Sequence, residues 1–174
     1  NSSGVIGTDV SGVGTARRGL TAANYGGDKA IFAYGYTDTE FSASNLVNNS
    51  GVIAADVTGV GTARYGLRAT TYGGDKPIVA YGNTGPASYP NQNISNKISN
   101  QGVVASDTSG VGTARNYAAA SSYGGDKGVY AFGTASSYTN VKNLVNNSGV
   151  ISADVTGVGT ARSQPGAAGY SQSA

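Results

Sequence analysis

The chain has 174 residues, room for one ordinary domain, with 28 glycines, 11% charged residues and a net charge of +2 from 11 basic and 9 acidic side chains. It contains no Cys, His, Met or Trp, which excludes disulfides, thiolate nucleophiles, Cys-ligated clusters, Ser–His triads and imidazole metal sites. The balanced charge leaves no basic stripe for nucleic acid, and no apolar run reaches the roughly 18 residues of a membrane span.

No initiator Met and no signal-peptide pattern opens the sequence, so a processed chain or a piece of a longer one is expected. The first 17 residues already hold two motifs that return. Asn1-Ser-Ser-Gly-Val-Ile6 recurs at 48–53 and 146–151, and in altered form at 99–104. Ser11-Gly-Val-Gly-Thr-Ala-Arg17 recurs as Thr58–Arg64, Ser109–Arg115 and Thr156–Arg162, at offsets of 47, 51 and 47 residues. Tyr-Gly-Gly-Asp-Lys occurs three times, at 25–29, 72–76 and 123–127, always eight residues after the repeat Arg.

Along the first full unit, Gly19–Tyr25 is a short segment closed by the tight-turn signal Gly26-Gly27-Asp28. Lys29–Thr37 is rich in β-formers (Ile31, Phe32, Tyr34, Tyr36). After a polar stretch come Ala43–Val47, the turn Asn48–Gly51 and a fourth apolar segment, Val52–Val57. Glycine interrupts nearly every helical window, so the reading is all-β, with tandem four-stranded antiparallel repeats the size of β-propeller blades. The alternative is an open stacked β-repeat array. The division is a half-repeat at 1–17, units at 18–64, 65–115 and 116–162, and a tail or start of a further repeat at 163–174. The second unit carries a four-residue insertion within Asn83–Gln101.

The run from Ala16-Arg17 to Tyr25-Gly-Gly-Asp-Lys and Ala30-Ile-Phe-Ala-Tyr-Gly35 resembles the first half of a kelch-type propeller blade. Tyr34-Gly35, Tyr81-Gly82 and Phe132-Gly133 stand where that family has paired glycines, and its later Trp is missing. Over residues 1–162 the repeat style is also similar to repeats of phage structural and tail-fibre-like proteins, cyanophages among them. The resemblance implies a virion or extracellular surface role and no particular chemistry. Three units do not readily close a propeller of about four to eight blades. Association with other copies, or further repeats of a longer parent chain, is therefore expected.

Most charges are locked to the repeat: Asp9, Asp56, Asp107 and Asp154 are equivalent, as are Arg17, Arg64, Arg115 and Arg162. Charges identical in every unit suit an architectural task, each Arg pairing with an Asp to hold units in register. Tyr36, Tyr89 and Tyr138 lie instead in segments that differ between units, which makes them the candidates for contact with a glycan or partner. Glu40 is the only Glu, and Asp38 shares its loop, so no carboxylate pair for glycosidic chemistry emerges. Gly-Val-Gly-Thr lacks the Lys-Ser/Thr ending of a phosphate loop. Tyr-Gly-Gly-Asp-Lys sets one carboxylate beside a cation, which argues against calcium. No residue is assigned to catalysis, a cofactor or a metal. The sequence reads as a non-enzymatic structural or attachment protein, a tail-fibre element or extracellular β-repeat assembly presenting variable loops. The alternative is a lectin-like module that binds cell-surface glycan.

Overall fold

The computed structural model describes residues 8–85 and 90–169. It is all-β. The described residues hold nine strands, β1 (Thr21–Tyr25), β2 (Lys29–Tyr36), β3 (Glu40–Val47), β4 (Arg68–Tyr72), β5 (Lys76–Ala80), β6 (Ser95–Lys97), β7 (Ala119–Tyr123), β8 (Lys127–Ala131) and β9 (Lys142–Val145). They form three antiparallel sheets, β1-β2-β3, β4-β5-β6 and β7-β8-β9. Each sheet opens with a hairpin turned by Gly-Gly-Asp, in which both glycines take positive φ (58° and 85° at Gly26 and Gly27). Asn48 Oδ1 accepts the Ser50 and Val52 amides and so shapes the Asn-Asn-Ser-Gly turn; Asn146 does the same in the third unit, and Ser99 Oγ replaces it in the second.

Each unit has three ladder strands, not the four expected. The fourth segment (52–57, 103–108 and 150–155) runs beside β3, β6 or β9 but meets it only at isolated bridges such as Ser44–Val57 and Val47–Ile53. Ala54 N donates to Leu46 O and Val57 N to Ser44 O, so between these bonds two residues (55 and 56) oppose one (Asn45). That bulge breaks the ladder where Asn45 Nδ2 takes the Ala54 carbonyl.

The sheets pack in series through two apolar cores. Ile31, Ala33 and Tyr34 of the first unit meet Leu67, Val79 and Ile98 of the second. Ile78, Ala80 and Tyr81 of the second meet Tyr130, Val145 and Ile151 of the third. The first strands are also tied by backbone: Gly66 N donates to Gly19 O (2.9 Å), Tyr117 N to Gly66 O (2.7 Å) and Gln164 N to Tyr117 O (3.0 Å). The hairpin turns join likewise, Gly26 N to Asp75 O and Gly73 N to Asp126 O. The series is open and does not close into a propeller ring.

The insertion of the second unit can be narrowed. Thr139 N donates to Gly133 O, six residues away, whereas Gln92 N donates to Gly82 O, ten away. The four extra residues therefore fall within 83–91, of which Tyr89 lies outside the described residues. At the other end, a Cβ on Gly169 would meet Ser122 O at 3.2 Å, so the tail runs over β7 much as β4 runs over β1. Tyr170 follows Arg162 by the eight residues that separate every repeat Arg from its Tyr.

Candidate functional site

Two sets of polar side chains stand out, one repeated and one not. In the first unit Arg17 donates from Nε to Tyr34 O (2.8 Å), from Nη1 to Thr15 O (3.1 Å) and from Nη2 to Asn45 Oδ1 (2.6 Å). Asn45 Nδ2 donates to Asp56 Oδ1, and Asp56 Oδ2 accepts both the amide and the hydroxyl of Thr15. Arg17 and Asp56 lie 3.5 Å apart. Arg64, Asn96, Asp107 and Thr62 repeat this knot, with the ion pair at 3.8 Å. In the third unit Arg115 reaches Asp154 through Asn143.

Arg64 and Arg115 also fasten two sheets together, while Arg17 lies over Phe41 of its own unit. Arg64 stacks 4.6 Å from the Tyr34 ring of the preceding sheet, Arg115 3.9 Å from Tyr81 and Arg162 4.9 Å from Phe132. The glycine of Gly-Val-Gly-Thr permits this closure. Gly61 has φ +77°, and a Cβ there would lie 2.6 Å from Asn96 Nδ2 and overlap Asp107 Oδ1.

The knot sets the titration of its members. Bonds from the Thr15 hydroxyl and the Asn45 amide hold the Asp56 carboxyl below its ordinary 3.8. At Asp107 and Asp154 burial works against ionisation. The Thr hydroxyl and Asn amide bonds, with the neighbouring Arg, outweigh it, and both carboxyls are again lowered. Burial pushes the phenols of Tyr34 and Tyr81 up to about 12. At the ends the pattern is incomplete: Asp9 is exposed with no partner among the described residues, and Arg162 is exposed, donating from Nε to Thr160 O.

The second set lies along the edge where the repeats diverge. Here the bridges Arg18–Tyr36, Tyr65–Asn83 and Asn116–Thr134 extend each hairpin toward its variable loop. Tyr36 packs on Tyr65, ring centroids 5.1 Å apart, with Arg18 over its other neighbourhood at 5.1 Å. Between the second and third units the same edge opens into a groove of about 650 Å³. Tyr65, Asn116, Tyr117, Tyr138 and Gln164 line it, and none of its ten lining residues is charged. Tyr138 is 64% exposed at the rim.

The structure thus separates the sequence candidates. It brings Arg17 with Asp56 and Arg64 with Asp107, and links Arg115 to Asp154 through an amide. It places Tyr36 in an aromatic stack and Tyr138 on the groove; Tyr89 is outside the described residues. Sequence reasoning missed the linking amides Asn45, Asn96 and Asn143, although they recur at the same 51- and 47-residue offsets as the motifs. It also missed Asn116 and Tyr117. Tyr117 occupies the column of Gly19 and Gly66 with φ 49°, a left-handed conformation unusual for a ring-bearing residue, and only the loss of glycine at that register signals it. No protein-family model matches the chain, and no curated protein matches it either.

Proposed function

We propose that the protein is a non-enzymatic scaffold, a β-repeat element of a virion or extracellular assembly of tail-fibre type, which extends by like-on-like packing and displays a variable edge. The observation that carries this reading is the asymmetry of the two end faces. Leu20, Phe32 and Val47 are half-buried, whereas their equivalents in the next unit, Leu67, Val79 and Ile98, are buried against the unit before. At the other end Val129, Ala131 and Phe132 are half-buried, whereas Ile78, Ala80 and Tyr81 are buried against the unit after. Val10 is 88% exposed against 45% for Val57, and Val158 82% against 37% for Val111. Each end therefore presents one half of an interface whose other half is presented at the opposite end. A heterologous pairing of this kind generates rings or filaments. The occupants are other copies of the chain or further repeats of a longer parent. The repeat style shared with tail-fibre proteins supports the virion setting.

Sedimentation velocity over a concentration series tests this. The chain is expected to form species at integer multiples of its own mass, and Val129→Lys, which charges one end face, is expected to suppress them. A second reading, a lectin-like module, is favoured by the uncharged tyrosine-lined groove on the variable edge.

A further inference from the structure

We propose that the groove between the second and third units is a binding site for a neutral saccharide. The inference rests on reading the variable edge as a recognition surface, and it adds a ligand class and the residues that hold it.

Four observations carry it. First, the groove lies where the repeat is broken. At the corresponding place between the first two units, Tyr36 packs on Tyr65 and Arg18 lies 5.1 Å from the Tyr36 ring. Between the second and third units Asn83 stands in the place of Tyr36 and Asn116 in that of Tyr65, and a groove opens. Second, two residues of the lining hold left-handed backbone without being glycine. Tyr117 and Gln164, both lining the groove, hold φ of 49° and 55° in a column where Gly19 and Gly66 have 62° and 64°. Tyr34, Tyr81 and Phe132 hold the same conformation, but under the repeat arginines in every unit, whereas Tyr117 and Gln164 lie on the groove. Glycine holds that register in the two preceding units, so Tyr117 is a departure from the repeat located on the groove.

Third, the lining contains polar groups left without partners. Asn116 is 6% exposed, and its Oδ1 is enclosed and accepts nothing. Asn91 Nδ2 donates to Thr134 O and Ala135 O, which fixes the amide and leaves its Oδ1 equally unpartnered. Two acceptors short of donors suit a ligand rich in hydroxyl groups. Fourth, the groove supplies aromatic surface without charge. Tyr65, packed on Tyr36, and Tyr117, packed by Gly66 and Arg68, line it beside the exposed Tyr138 ring, which is open to the C–H face of a pyranose, and none of the lining residues is Lys, Arg, Asp or Glu to compensate an ionic ligand. Its volume of about 650 Å³ is that of a small-molecule site and accommodates two or three sugar rings.

The test uses the full chain on an array of neutral and acidic glycans, followed by NMR titration with neutral trisaccharides (maltotriose and chitotriose) and any array hit. Binding of at least one neutral saccharide in the millimolar range or tighter is expected, insensitive to salt. Tyr117→Gly restores the glycine of the column. It is expected to leave the thermal midpoint within a few degrees while weakening saccharide binding by roughly tenfold or more. Tyr138→Ala, at an exposed rim position, is expected to weaken binding with the fold intact. Absence of any neutral hit, hits confined to acidic glycans, or binding unchanged in Tyr117→Gly overturns the proposal. Sedimentation of Tyr117→Gly keeps the two readings apart. An unaltered assembly state with lost binding reports on the groove alone, and absent assembly in the wild-type chain counts against the scaffold whatever the array shows.

Discussion

Arg64 is fully buried, and what makes that tolerable is that every nitrogen of its guanidinium has an acceptor and its face lies on Tyr34. Its removal strips Tyr81 O, Thr62 O and Asn96 Oδ1 of donors at once. Arg64→Ala is therefore expected to destabilise by about 3 kcal/mol in urea unfolding. Arg162→Ala, at an exposed end, is expected to cost less than about 0.5 kcal/mol. Equal effects at the two positions would contradict the role given to the knot. The carboxyls of the knot predict the acid limb of stability. Asp56, Asp107 and Asp154 have folded pKa values below the ordinary 3.8, so their contribution is complete above that pH and is lost as pH falls through the lower folded values. Thermal midpoints measured downward from pH 5 should fall most steeply below about 4. The phenols give the alkaline limb. Tyr34 and Tyr81 are raised to about 12 from 10.0, so the stability they contribute is complete below pH 10 and is lost as pH rises toward 12. Spectrophotometric titration should show them ionising after the exposed tyrosines.

At the level of the element, the hairpins were the most legible part of the sequence. The turn Gly-Gly-Asp and the β-formers of Lys29–Tyr36 announce β1 and β2, because positive φ and branched or aromatic side chains are local properties. The fourth segment misled for the opposite reason. Val52–Val57 has strand-like composition, but the bulge that excludes it from the ladder comes from Asn45 reaching across to Ala54 and Asp56, a tertiary bond that no propensity encodes. The groove was half legible: Tyr138 could be picked out as non-repeated, whereas Asn116 and Tyr117 acquire meaning only when the column of positive φ is seen. The Tyr-Gly step that ends the second strand of each unit is a specific demand of the fold. Gly82 has φ +100°, and a Cβ there would lie 2.9 Å from Tyr65 O, so Gly82→Ala is expected to lower stability by about 1–3 kcal/mol in chemical unfolding. Gly12→Ala, at an exposed position with nothing within 4 Å of the added Cβ, is the control and is expected to change little.

For the molecule as a whole, four copies of the Arg-bearing segment serve three sheets, and each interface inside the chain holds one copy. A junction between two chains would bring the Arg162 segment of one and the Arg17 segment of the other to the same place, so one must yield for the apolar faces to meet. On the proposed like-on-like packing, assembly would exchange existing hydrogen bonds for new ones and depend on concentration. The open faces, Val129 and Phe132 at one end, Leu20 and Phe32 at the other, are the hydrophobic reason for the exchange to proceed. The most direct measurement is sedimentation velocity of the purified full chain from low to high micromolar concentration, beside Val129→Lys. Like-on-like extension predicts discrete species at integer multiples of the chain mass, growing with concentration and absent or strongly reduced in the variant. A single monomeric species at every concentration, or oligomers indifferent to Val129→Lys, would contradict it.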